Sequence, residues 1–265
     1  MVLRVSFKIT ALLLALLTAA ALIPVAATNS DTAKESRWAE QVIDGLLDGE
    51  AAWLIDDSGH EFLSILTEGD RGSGEAVILI HGIGVHPNWP DVIYPLRAGL
   101  LEQNISTLSV QMPILANGAD EREYDLLFNE VPGRFETAID YLDDYGYKKL
   151  TIVGHSMGAS MATYYLSRSD ANAVDSLVII GMDEGTAFSS NLESLAKLKV
   201  PTLDLYGSQD LEPVLDSVEQ RAAAGNKQTA HAYLQVRVDG ANHFFQGHEE
   251  ALVQQVIDWI EAQRN

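Results

Sequence analysis

The residues best suited to chemistry in this chain are Ser156, Asp210 and His243. Ser156 stands in Gly154-His155-Ser156-Met157-Gly158, directly after the apolar run Thr151-Ile152-Val153. A serine between such a strand and a helix is held on a sharp turn with its oxygen exposed. The glycines two residues to either side leave room where strand and helix approach each other. A serine hydroxyl barely ionises at neutral pH, so it needs a base, and the base needs an orienting group. His243, in Asp239-Gly240-Ala241-Asn242-His243, is read as the base that later protonates the leaving group. Asp210, in Gly207-Ser208-Gln209-Asp210, is read as the carboxylate that holds the imidazole. The pentapeptide alone is weak evidence. The order serine, acid, histidine, each after its own strand, adds the weight it lacks. The bland alternatives are that Ser156 or Asp210 merely caps a helix. Asp183 is the reserve acid and His248 the rival histidine.

Attack on a carbonyl creates an oxyanion, which needs two donors. The backbone N–H of Met157 is expected to be one. The loop His81-Gly82-Ile83-Gly84 is expected to supply the other, from Ile83. His81 is expected to brace that loop and His155 to pack beside the turn. His86 and Trp89 are candidates for lining the cleft, with a plain turn as the alternative for His86. His60 and His231 have no evident partners. No His-Glu-x-x-His or carboxylate–histidine cluster suggests a metal, and no glycine-rich phosphate loop suggests a nucleotide. No cofactor is expected.

The elements that must position these groups alternate. A helical pattern covers 31–50, with Trp38, Val42, Ile43, Leu46 and Leu47 on one side. The runs 51–55 and 61–66, split by Asp56-Asp57-Ser58-Gly59, predict an antiparallel hairpin. Strands are predicted at 76–80, 106–110, 151–155, 176–180, 200–206 and 232–238. Helices are predicted at 91–101, 133–145, 211–224 and 249–263. Strands that alternate with helices from residue 76 onward predict a mostly parallel sheet covered on both faces, an α/β protein. Residues 112–130 form a long polar insert with aromatic anchors, a length often tied to function. Residues 183–199 hold one short helix and no large lid.

The chain has 265 residues, no cysteine and a net charge of −21. Such acidity disfavours nucleic acid and anionic membranes as partners. Without cysteine there can be no thiol nucleophile, thiolate metal site or iron–sulfur cluster. Arg4 and Lys8, the apolar stretch from Ile9 to Ile23, and Val25-Ala26-Ala27 read as a signal peptide cleaved near Ala27. An uncleaved anchor is the alternative. The expectation is 1–27 removed, 28–265 one domain without stable membrane insertion, and a periplasmic or secreted address.

With these motifs in place, the chain resembles the α/β-hydrolase superfamily. More narrowly it resembles an exported Gram-negative bacterial family of unknown function. The segments are His81-Gly82-Ile83-Gly84-Val85-His86-Pro87-Asn88-Trp89-Pro90, Gln111-Met112-Pro113-Ile114-Leu115-Ala116, Tyr124-Asp125-Leu126-Leu127-Phe128 and Gly240-Ala241-Asn242-His243-Phe244-Phe245. The resemblance implies a sheet of about eight strands with Ser156, Asp210 and His243 above it. The expected activity is hydrolysis of a carboxylic ester or thioester of a small or acyl substrate. Acyl transfer or peptide cleavage would use the same groups. The alternative of another class is a non-catalytic periplasmic binding or envelope-interaction protein on the same scaffold.

Overall fold

A computed structural model describes residues 29–169, 173–227 and 231–264. The proposed signal segment lies outside the described residues. Helix Thr32–Asp44 (α1) leads into the hairpin Glu50–Ile55 (β1) and Glu61–Thr67 (β2). There follow Glu75–Ile80 (β3), Ile93–Glu102 (α2), Ser106–Val110 (β4) and Val131–Asp144 (α3). Lys149–His155 (β5) enters Met157–Leu166 (α4), and Ser176–Ile180 (β6) precedes Asn191–Leu195 (α5). The chain closes through Thr202–Gln209 (β7), Glu212–Asp216 (α6), Val218–Gly225 (α7), Tyr233–Asn242 (β8) and Glu249–Ala262 (α8).

The eight strands form one sheet in the order β1-β2-β4-β3-β5-β6-β7-β8. From β4 across to β8 the strands run parallel, and the hairpin adds β2 antiparallel to β4. The central strands are apolar on both faces because both faces are covered. On one side Ile78, Ile152 and Ile179 pack with Phe135 of α3 and Met161 of α4. On the other, Val77, Val153 and Leu205 pack with Leu96 of α2 and Ile257 of α8. The carboxyl ends of β3, β5, β6, β7 and β8 therefore share one edge, where a doubly wound sheet places its ligands.

The differences from the sequence pattern have local causes. α1 stops at Asp44 before Gly45, and Leu47 is exposed rather than on the helix's packed side. β7 and β8 run beyond their apolar cores: Gln209 pairs with Asn242 past an irregularity at Gly207. The acid and the histidine thus sit immediately after their strands, not in longer loops. The helix expected over 211–224 is two helices. Ser217 Oγ donates to the Pro213 and Val214 carbonyls at 2.8 and 3.1 Å, and the chain bends where those acceptors are taken.

Candidate active site

β5 ends at His155, and the next residue, Ser156, has φ 54° and ψ −123°. A non-glycine residue at such a φ is strained and persists only where its surroundings fix it. The Ser156 N–H donates to the Ile180 carbonyl at 2.8 Å, which ties the turn to the end of β6. Close packing fixes it from below. A Cβ at Gly154 would stand 2.6 Å from the Gly158 carbonyl oxygen, and one at Gly158 would stand 2.6 Å from that of Ile80. Both glycines are therefore required by approach of backbone to backbone. Ser156 remains partly exposed. Met157 opens α4, where unpaired N–H groups and the helix dipole favour negative charge.

His243 and Asp210 are both buried. His243 Nδ1 donates to Asp210 Oδ1 at 2.6 Å. Asp210 also accepts the N–H of Leu211 at 2.8 Å and of Gly207 at 3.2 Å. Burial pushes its carboxyl pKa up, but the His243 hydrogen bond and charge with these two N–H groups outweigh it, so the pKa falls below the ordinary value. With Nδ1 committed to the acid, Nε2 is the ring nitrogen free to exchange a proton. The His243 ring centroid lies 4.8 Å from that of His155, the residue before the serine. Gly181, at φ 60°, follows β6, and a Cβ there would stand 3.0 Å from His243 Nδ1 and Cε1. Glycine at this position lets the ring lie over the end of β6. Ser156 and His243 share no hydrogen bond among the described residues.

The loop that follows β3 is braced by His81. His81 is buried, and its Nδ1 donates to the Gly82 carbonyl at 2.8 Å, while the Met112 N–H donates to its Nε2 at 2.9 Å. Burial lowers its pKa to about 4, so the ring is neutral at about pH 7. Because a peptide unit is planar and trans, fixing the Gly82 C=O also fixes the direction of the Ile83 N–H. A Cβ at Gly82 would stand 3.4 Å from that of Ser156, so this loop lies against the serine. His155 Nε2 donates to the His243 carbonyl at 2.9 Å, and burial also lowers its pKa to about 4.

The other expected residues make the following contacts. His86 packs between the rings of Trp38 and Trp89, with centroids 5.4 Å from each, and its Nδ1 accepts the Asn88 N–H. Trp89 Nε1 donates to Asp91. Asp183 accepts from Gly185 N–H and Asn191 Nδ2, so it shapes its own loop. His248 occupies the residue before α8. His60, expected to lack a partner, contacts Glu35 at 3.0 Å, and Glu35 also accepts from buried Arg134. Arg134 donates in turn to the Gln111 carbonyl at 3.0 Å. Within β7, the strand that Asp210 follows, fully buried Asp204 accepts from Arg221 at 2.9 Å and from Tyr233 at 2.5 Å. Among the described residues no group of three or more acidic, histidine or cysteine side chains could hold a metal ion.

Solved structures share this architecture. The chain is similar to Est1E from Butyrivibrio proteoclasticus with ferulic acid bound, at TM-score 0.64 and 18% identity over 80% of this chain and 99% of that one. It is similar to the esterase Pf2001 from Pyrococcus furiosus, at TM-score 0.64 and 16% identity over 83% and 95%. It is also similar to a dienelactone hydrolase from Anabaena variabilis, at TM-score 0.64 and 20% identity over 81% and 98%. At such identities the likeness shows the fold, which is that of the α/β hydrolases. No curated protein matches the chain. A family described as Protein of unknown function (DUF3530) matches residues 3–127 and 119–262. The chain belongs to this DUF3530 family and has the α/β-hydrolase fold.

Proposed function

We propose that the protein is a serine hydrolase of carboxylic esters or thioesters that works through an acyl-enzyme. The observation that carries this reading is the buried His243–Asp210 pair, 2.6 Å apart, beside a serine held at positive φ. In this mechanism Ser156 Oγ attacks the carbonyl carbon while His243 Nε2 takes its proton. Asp210 keeps the other ring nitrogen protonated and stabilises the imidazolium. The Met157 and Ile83 N–H groups receive the developing oxyanion. Collapse expels the alcohol or thiol, protonated by His243, and leaves the acyl group on Ser156. Water, deprotonated by the same nitrogen, then attacks the ester, and Ser156 leaves as the free hydroxyl. The proposed address is the periplasm or the medium.

A fluorophosphonate probe on the purified protein tests the reading. The expected result is one labelled residue, Ser156, and no labelling of Ser156→Ala. An unlabelled wild-type protein, or labelling that survives the substitution, refutes it.

A further inference from the structure

The segment Tyr124-Asp125-Leu126-Leu127-Phe128 has no part in the mechanism above, yet its contacts converge on the site. It belongs to a 3-10 helix, Glu121–Asn129, opened by a capping box between Asp120 and Glu123. Tyr124 and Leu127 are buried with Leu115, against partly buried Ile83 and Met157, the two residues whose N–H groups face the oxyanion in the proposed mechanism. The Tyr124 hydroxyl accepts the Leu115 N–H at 3.3 Å and would stand 3.3 Å from a Cβ at Gly84.

The next residue reaches further. Asp125 accepts from Thr186 Oγ1 at 2.9 and 2.8 Å, one distance to each carboxylate oxygen, and from Ser189 Oγ at 2.8 Å. Asp125 follows β4, whereas Thr186 and Ser189 follow β6. Between β4 and β6 in the sheet lie β3 and β5, whose carboxyl ends carry the Ile83 loop and Ser156. The contact therefore joins two segments from opposite sides of the nucleophile. The receiving loop is firm. Gly185 and Ser190 form a bridge, the Phe188 and Ser189 N–H groups donate to Thr186 Oγ1, and Asn191 Nδ2 donates to Ser160 Oγ on α4 at 2.8 Å.

We propose that Asp125, Thr186 and Ser189 form a clasp that holds residues 120–129 as a fixed wall beside the nucleophile and restricts the site to small acyl groups. Asp125 is a positioning residue, acting through Tyr124 and Leu127. The restriction of substrate rests on the hydrolase reading, but access to position 156 does not. The chain has no cysteine, so Ser156→Cys creates a single thiol whose alkylation measures access without any turnover. The ratio of its modification rates by a bulky fluorescein maleimide and by N-methylmaleimide is compared with and without Asp125→Ala. The expected result is a rise of about tenfold in that ratio, the scale of losing hydrogen bonds to a charged group. Thr186→Val with Ser189→Ala should give the same rise and stands in if Asp125→Ala fails to fold. An unchanged ratio in the folded variants overturns the clasp. In the otherwise unaltered protein, Asp125→Ala should raise kcat/KM for an octanoyl ester relative to an acetyl ester. Absence of probe labelling at Ser156 overturns the hydrolase reading alone, because the thiol ratio still reports on the wall.

Discussion

Acid should weaken this fold well before its carboxylates titrate, because two fully buried histidines brace the site in their neutral forms. Burial lowers both His81 and His155 from 6.5 to about 4. The unfolded chain binds protons at these positions below about pH 6.5, and the folded chain resists them until about pH 4. Between those values the unfolded state holds more protons, so stability falls as pH falls. Their contribution is fully present above about pH 6.5 and lost progressively toward pH 4. From about pH 7 to pH 5 each ring costs about 2 kcal/mol, and the pair about 4 kcal/mol, with a slope approaching about 2.7 kcal/mol per pH unit. His86, half-buried, is lowered in the same way and adds a smaller share. Against a typical stability of about 5–15 kcal/mol the fall is large. Urea unfolding at about pH 7, 6 and 5 measures it, read as a falling midpoint at constant slope. His155→Gln, whose amide can still donate to the His243 carbonyl, should remove about 2 kcal/mol of the fall. Stability that stays flat over this range would refute the claim that burial holds these rings neutral.

Two further substitutions probe the site directly. Asp210→Asn should lower ester turnover by about 10⁴-fold with little change in KM, because an amide donating to Nδ1 imposes the wrong tautomer on His243; steady-state kinetics on a chromogenic ester checks this. Gly158→Ala should cost about 1–3 kcal/mol in urea unfolding, since the new methyl meets the His81 and Ile80 carbonyls and the elbow must shift.

Much of the fold is legible in the sequence because apolar runs report burial. β4 and β6 fall where the pattern puts them, at Ser106–Val110 and Ser176–Ile180. The pattern fails where backbone pairing continues past the apolar residues. Gly207-Ser208-Gln209 and Asp239-Gly240-Ala241-Asn242 read as loops, yet they extend β7 and β8. The break at Ser217 is hidden for the opposite reason: the helical spacing continues through it, while bonds from Ser217 Oγ and Arg221 to the Pro213 and Val214 carbonyls mark the break.

The site divides along the same physical line. Ser156, Asp210 and His243 are visible because a hydroxyl, a carboxylate and an imidazole at strand ends form a known chemical set. The polar groups that hold the surrounding loops are not visible, because their partners lie far along the chain. Glu35 lies seven residues before Val42, in step with the buried side of α1, and that phase is the available signal. Its partners, His60 and Arg134, are 25 and 99 residues away, so the pairing itself leaves no trace in local spacing. Asp125 is harder still, since it meets its two hydroxyls 61 and 64 residues on and lies on no periodic stripe. A burial pattern can reveal where a chain must hide apolar surface, but hydrogen bonds between loops depend on topology, and only the order β4-β3-β5-β6 shows that the segments carrying Asp125 and Thr186 flank the strands that end at the Ile83 loop and Ser156.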